Sequence, residues 1–165
     1  MSQAPEVKTI GIVGTGDVGI ALARGFLRDG HKVVMGTRKP DGKEKEFLEK
    51  LTKTAFEDEK QGLSKHTEGF SLTTQEKAAH QGDVVILAVN WAAVEHVCKE
   101  LKDHLKGKIV VDVNNPLHFE GGKFLGLLPL KDSKGNNRSG GEVVQEALPQ
   151  SKGLLFLFYF CFVRL

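Results

Sequence analysis

Cysteine is scarce in this chain: Cys98 and Cys161 are the only two in 165 residues. They form no CxxC pair and no metal-ligand spacing, which excludes a disulfide-stapled scaffold and a zinc ribbon and suits a reducing compartment. An excess of one charge is lacking too. Lys and Arg number 23 against 21 for Asp and Glu, a net charge of +2. Nothing electrostatic therefore draws the chain to nucleic acid or an anionic membrane surface. The start, Met1-Ser2-Gln3-Ala4-Pro5-Glu6, has no apolar signal-peptide core. The longest apolar run, Leu154 to Val163, is too short for the ~20 residues of a bilayer-crossing helix. These absences predict a cytoplasmic protein without a nucleic-acid or membrane partner. The six histidines (His31, His66, His80, His96, His104, His118) show no metal spacing, and no Ser/His/Asp set stands out. No metal is expected and no catalytic residue is named. His96, Glu100 and His104 read as surface residues of one helix.

What is present is organised around Thr9-Ile10-Gly11-Ile12-Val13-Gly14-Thr15-Gly16-Asp17-Val18-Gly19. An apolar run enters Gly14-x-Gly16-x-x-Gly19 and an amphipathic segment leaves it, the context in which G-x-G-x-x-G signals dinucleotide binding. Gly14 permits the turn, Gly16 lets the backbone approach a pyrophosphate, and Gly19 lets helix and strand pack closely. The amides at the helix start and its positive dipole end then face the anion. Residues 7–13 read as a strand and 17–29 as a helix whose apolar and small face is Val18, Ala21, Leu22, Gly25 and Phe26. Gly30 marks its left-handed end, and 31–36 form a second strand. A strand, helix and strand in this length make a right-handed βαβ unit.

The residues after the second strand choose the cofactor. An NAD site carries Asp or Glu there to bond the ribose 2′-hydroxyl. This chain has Thr37-Arg38-Lys39. A guanidinium binds a 2′-phosphate bidentately, and a hydroxyl and an ammonium add to it, so the expected ligand is NADP(H). Lys43 is a further, weaker candidate.

Downstream, 41–53 read as a charged helix burying Phe47, Leu48 and Leu51, and 54–69 as polar loop or short helix with a solvated Glu57-Asp58-Glu59-Lys60 cluster. Phe70 to Leu72 is a short strand. Thr73 or Thr74 caps a helix through His80. Val84 to Val89 and Lys108 to Val113 are apolar runs suited to central parallel strands, with a helix over 92–105 between them. In open α/β sheets ligands lie beyond the carboxyl ends of the strands. Ala88, Val89, Asn90 and Trp91, with Asn114, Asn115 and Pro116, occupy that edge and are the candidates for the ribose and nicotinamide; loop capping is the competing role for the asparagines. His118 is the histidine nearest that edge. Residues 118–138 read as loop. Ser139 to Leu148 is a last helix. The pattern predicts a Rossmann-type, doubly wound, mainly parallel α/β sheet with helices on both faces: a NADP-binding domain over 1–152 and an atypical apolar segment over 153–165 that could add a final strand.

Taken together, Ile10 to Gly19, Val34-Met35-Gly36-Thr37-Arg38, Val89-Asn90-Trp91, Val110 to Leu117, Ser139-Gly140-Gly141-Glu142 and Leu148 to Lys152 resemble the coenzyme F420-dependent NADP oxidoreductase family. The same NADP-binding fold occurs in the cytosolic domain of the Steap metalloreductases. The resemblance covers roughly residues 8–152. It implies pyrophosphate on Gly14 to Gly19, 2′-phosphate on Thr37 and Arg38, and nicotinamide near Ala88 to Trp91 and Asn114 to Pro116. It implies hydride transfer between NADPH and F420, or another flavin-like or small acceptor. The alternative is an NADP(H)-binding module without its own turnover. After Lys152 the chain departs from the family's pattern, which predicts a truncated or altered terminus. An open sheet edge and the apolar segment make a homodimer an expectation.

Overall fold

A computed structural model of the chain describes residues 6–53 and 67–155. The Glu57–Lys60 cluster, Cys161 and most of the apolar segment lie outside the described residues. Strands β1 (Thr9–Val13), β2 (Lys32–Thr37), β3 (Phe70–Thr74), β4 (Val84–Leu87), β5 (Ile109–Asp112) and β8 (Lys152–Leu155) form one sheet in the order β3-β2-β1-β4-β5-β8. Every pairing in it is parallel. The α-helices among the described residues are α1 (Asp17–Arg28), α2 (Glu44–Thr52), α3 (Gln75–Gln81), α4 (Val94–Leu101) and α5 (Gly140–Ala147). This is the Rossmann-type architecture expected from the sequence. The strand order reverses between β1 and β4, so a crevice opens above their carboxyl ends, where open α/β sheets bind ligands.

Alternate residues of the central strands feed two cores, one on each face of the sheet. Ile10, Ile12, Val33, Met35 and Ile86 pack with Ala23 and Leu27 of α1 and with Phe47 and Leu51 of α2. Val13, Val85, Leu87 and Val110 pack with Ala79, with Val94, Val97, Cys98 and Leu101 of α4, and with Val144 and Leu148. Strands covered on both faces read as unbroken apolar runs, which is why β1, β4 and β5 were legible. The buried centre of α1 is Gly19, Ala23 and Leu27, whereas Ala21 is exposed and Val18, Leu22 and Phe26 are half-buried. Close packing of Gly19 onto β1 turns the helix by about one position from the expected face. On the opposite face α3 rides directly on β1 and β2. A Cβ on Gly11 would stand 2.4 Å from the Ala78 carbonyl oxygen, and one on Gly36 would stand 2.8 Å from the Gln75 Cα.

Two basic side chains close helix ends, where cations and donors satisfy the last carbonyls. Arg24 donates to Leu51, Lys50 and Lys53 carbonyls at the end of α2. Lys108 Nζ, just before β5, donates to the carbonyls of Ala79, His80 and Gly82 at the end of α3, at 2.9, 2.5 and 2.8 Å. Thr74 caps the other end of α3, its hydroxyl accepting from the Lys77 amide. Ser139 and Glu142 form a reciprocal capping box on α5. The helix expected over 92–105 is shorter: Trp91–Ala93 is a 3-10 turn, α4 follows, and 102–107 form turns that still bury Leu105.

The expectation of loop over 118–138 is corrected. β6 (Leu117–Glu120) and β7 (Lys123–Leu127) form an antiparallel hairpin. Its turn is Gly121-Gly122, with φ of +55° and +78°. Two central residues at positive φ match the twist of a tight hairpin, which explains the glycine pair. A bridge between Lys131 and Asn137 follows. Residues 153–155 of the C-terminal segment lie in β8, parallel to β5.

Candidate functional site

The glycine loop separates two kinds of glycine. At Gly14, φ is +119° and a Cβ would lie 2.0 Å from the Ala88 carbonyl oxygen. Its amide donates to the Gly36 carbonyl at 3.0 Å. At Gly19 a Cβ would lie 2.7 Å from the Gly14 oxygen. In both places the protein itself fills the space. Gly16 is different. Its φ of −77° and ψ of 178° are open to any residue, and no protein atom lies within 4 Å of where a Cβ would be. Gly16 is also the N-cap of α1, with no side chain to cap it. The first-turn amides of Asp17, Val18 and Gly19 have no intrahelical acceptor. The loop is therefore an open cradle lined by N–H donors at a positive helix end.

Two clefts meet at this cradle. The first, about 540 Å³, is bounded by Gly14–Gly16, by Gly36–Arg38 at the end of β2, by Thr74–Glu76 at the start of α3, by Ala88–Asn90, by Ala93, and by His96, Val97 and Glu100 on one stripe of α4. The second, about 510 Å³, is bounded by Gly16–Val18, Ala88–Asn90, Val113–Asn115, Leu117 and Phe119. Gly16 and Ala88–Asn90 belong to both and stand between them.

A family model described as coenzyme F420-dependent NADP oxidoreductase matches residues 9–116. The chain belongs to this family. An F420-dependent NADP reductase of Methanocaldococcus jannaschii is 36% identical over 140 residues, which cover 84% of this chain and 57% of that protein. The metalloreductase STEAP3 of Rattus norvegicus is 33% identical over 121 residues, covering 73% of this chain and 21% of that protein. The chain thus spans about half the length of the archaeal relative and a fifth of the rat one. A crystal structure from Arthrobacter sp. FB24, described as a candidate F420-dependent NADP reductase, superposes with a TM-score of 0.65 at 29% identity, over 91% of this chain and 61% of that one. A pyrroline-5-carboxylate reductase from Coxiella burnetii, at 18% identity and a TM-score of 0.56 over 91% of this chain and 43% of its own, shares the fold.

In this member of the F420-dependent NADP oxidoreductase family, the first cleft gathers Gly14, Thr15, Gly16, Thr37, Arg38, Ala88, Val89 and Asn90. The second gathers Gly16, Asp17, Val18, Ala88, Val89, Asn90, Asn114 and Asn115. Gly19, Lys39, Trp91 and Pro116 line neither. Gly19 acts from beneath, by packing. Lys39 is exposed beyond the end of β2. Asn90 caps the 3-10 turn, its Oδ1 accepting from the Ala92 amide at 3.1 Å, and this turn carries Trp91 away from the cradle. The Trp91 ring and the Pro116 Cδ instead lie 3.1 and 3.6 Å from where a Cβ on Gly140 would be, at the start of α5. Asn114 is buried, and its side-chain amide donates to Asp112 Oδ1 at 2.7 Å. His118 points away as well: the pleat of β6 turns Leu117 and Phe119 toward the second cleft and His118 outward.

The sequence reading missed Thr74–Glu76, the α4 stripe, Leu117 and Phe119. His96 and Glu100 are indeed exposed, but on the rim of the first cleft, with Nε2 and Oε1 at 3.4 Å. Glu76 stays a carboxylate there, because hydrogen bonds from its own amide and from Thr74 hold it below its ordinary value. Two buried groups lie behind the site. Burial raises the Asp112 carboxyl above its ordinary value against the opposing Asn114 hydrogen bonds, and its Oδ2 has no partner. Burial, helped by the Asp112 charge, pushes the Cys98 thiol up to about 12. Among the described residues no three His, Cys, Asp or Glu side chains gather as a metal site, and no helix is long and apolar enough to cross a membrane.

Proposed function

We propose that the two clefts bind NADP(H) end to end. The observation that carries this reading is Gly16: neither its backbone angles nor any protein neighbour requires glycine, and the space at the helix start is open to a ligand's pyrophosphate. An extended dinucleotide with its pyrophosphate on the cradle reaches Thr37 and Arg38 on one side and Val113–Asn115 on the other. The 2′-phosphate then meets the Arg38 guanidinium, with no carboxylate at the end of β2 to repel it. The nicotinamide lies against Ala88–Asn90, walled by Val113 and Phe119. NADP(H) when bound supplies the hydride chemistry; the chain's residues hold the ring, orient it and exclude water.

On this reading the chain works as a NADP-dependent oxidoreductase, passing hydride between NADPH and F420 or another flavin-like or small acceptor. Support comes from the family match, the relatives' names and the apolar second cleft next to the nicotinamide end. We assign the reaction to the cytoplasm, where a nicotinamide pool and reduced thiols coexist. We expect no nucleic-acid or membrane partner, and a second copy of the chain is the macromolecular partner we infer.

The test is a fluorescence titration of the purified chain with NADPH and NADH, followed by NADPH oxidation with F420, flavin and ferric acceptors in turn. Selective NADPH binding with turnover on one acceptor supports the reading. Selective binding without turnover on any acceptor leaves a NADP(H)-binding module. Equal affinity for NADH overturns the role of Arg38.

A further inference from the structure

The first cleft holds an imbalance of charge that the 2′-phosphate reading leaves unexplained. Its wall just past β2 offers one fixed cation, Arg38, while Glu76 on α3 and Glu100 on α4 are carboxylates on the same cleft. A phosphate monoester carries close to two negative charges at neutral pH. One cation and two carboxylates make a poor receptor for it. His96 is the remaining titratable group. It stands on the cleft-lining stripe of α4 with Val97 and Glu100, continued by Ala93 just before the helix, and its Nε2 is 3.4 Å from Glu100.

Other charged groups stand around this pair. On α4 itself Glu95 and Lys99 pair with each other at 3.5 Å. On its other side His96 borders a separate cleft together with Trp91, Glu95, Lys99, Leu130 and Val143. On α3, His80 faces His104 edge-on at 6.1 Å.

Resting on the NADP(H) reading, we propose that His96 is a specificity-determining residue: held by Glu100, its protonated ring shares the 2′-phosphate with Arg38. Protonation cancels the Glu100 charge and removes the repulsion that Glu100 would otherwise exert on the phosphate. NADH, with no 2′-phosphate, is indifferent to the change. The phosphate's own second ionisation, near pH 6, falls in the same range and acts in the opposite direction by weakening the Arg38 contact. A comparison with a variant isolates the histidine.

The experiment measures dissociation constants of NADPH and NADH for the full chain, His96→Gln and His96→Lys between about pH 5.5 and 8. The ratio of the His96→Gln to the wild-type constant for NADPH is expected to be about three- to fivefold larger at the acid end of that range than at the alkaline end, one partly screened charge contact. For NADH the ratio stays flat. His96→Lys, which places a lasting cation on this wall, tightens NADPH at pH 8 and leaves NADH unchanged. A ratio for NADPH that stays flat, or a loss shared equally by both dinucleotides, overturns the inference while selective wild-type NADPH binding leaves the cofactor reading standing. Wild type that binds neither dinucleotide overturns both.

Discussion

A Cβ added to Gly14 would stand 2.0 Å from the carbonyl oxygen of Ala88, so the turn out of β1 and the end of β4 occupy adjoining space with no room between them. The contact is backbone on both sides and cannot yield by a rotamer change, and the φ of +119° adds strain to any side chain there. Gly14→Ala should lower unfolding stability by about 2–4 kcal/mol in urea titration. Gly16→Ala, whose Cβ meets nothing, should stay within about 1 kcal/mol of wild type, yet weaken NADPH about tenfold or more, about 1.4 kcal/mol. Equal stability losses in the two variants would remove the argument that Gly16 serves a ligand.

Arg38→Ala should weaken NADPH about ten- to hundredfold, the loss of one charged hydrogen-bonding contact of about 1.5–3 kcal/mol. NADH affinity should not move. A parallel loss for both dinucleotides, read by the same fluorescence titration, would mean that Arg38 holds the loop and not the phosphate.

Phe119 is half-exposed on β6, its ring 5.5 Å from that of Phe124 across the hairpin, and it walls the second cleft. A flat acceptor lying on the nicotinamide would meet it. Phe119→Ala should raise the KM for the acceptor by about three- to tenfold, one aromatic contact of about 0.5–1.5 kcal/mol, and leave NADPH binding unchanged. An unaltered acceptor KM would place the acceptor elsewhere.

Thiolates, not thiols, are the nucleophiles. With the Cys98 thiol pushed up to about 12 and the side chain fully buried, Cys98 should resist iodoacetamide in the native protein at pH 8. It should react only as denaturant unfolds the chain, as followed by peptide mass spectrometry of the Cys98 fragment. Rapid native labelling would mean that α4 opens.

The raised carboxyl of Asp112 has a stability consequence whose sign differs from that of most acids. An acid whose folded value lies above its unfolded one favours the fold when protonated. That stability is present below the unfolded value of 3.8 and is lost as pH rises through the folded value. Asp112→Asn keeps the acceptor for Asn114 and removes the buried charge. It should flatten the pH dependence in the range just above 3.8 and stabilise the neutral protein by about 1 kcal/mol. Unchanged pH curves from thermal melts at a series of pH values would refute it.

The pieces of the site that were legible in the sequence are those fixed by short-range chemistry. Gly14, Gly16 and Gly19 sit within one strand-turn-helix unit. Arg38 follows one βαβ unit later, where sequence distance and spatial distance agree. Asn90 and Asn115 end apolar runs that could only be central strands. Thr74–Glu76 and the α4 stripe were illegible because they meet the loop only through the sheet order, which brings the end of β3 and the face of α4 over the crevice from separate crossovers. His96 and Glu100 carried a readable sign, a second helical face offset from the buried stripe of Val94, Cys98 and Leu101. Trp91 lines neither cleft for a local reason: Asn90 caps a 3-10 turn, and that turn carries the ring toward Gly140. The hairpin was missed although Gly121-Gly122 between Leu117-His118-Phe119 and Phe124-Leu125 is a recognised turn signal.

Lys108 gives the molecule an unexpected long-range lever. It lies at the amino edge of the sheet, the far side from both clefts, and its ammonium clasps the three carbonyls that end α3. The seven residues of α3 span only about 10 Å, and the other end of that helix is the Thr74–Glu76 rim of the first cleft. One side chain on the back of the protein therefore helps to hold the helix that forms the front wall, so shortening it is expected to loosen the cleft without touching any residue that lines it.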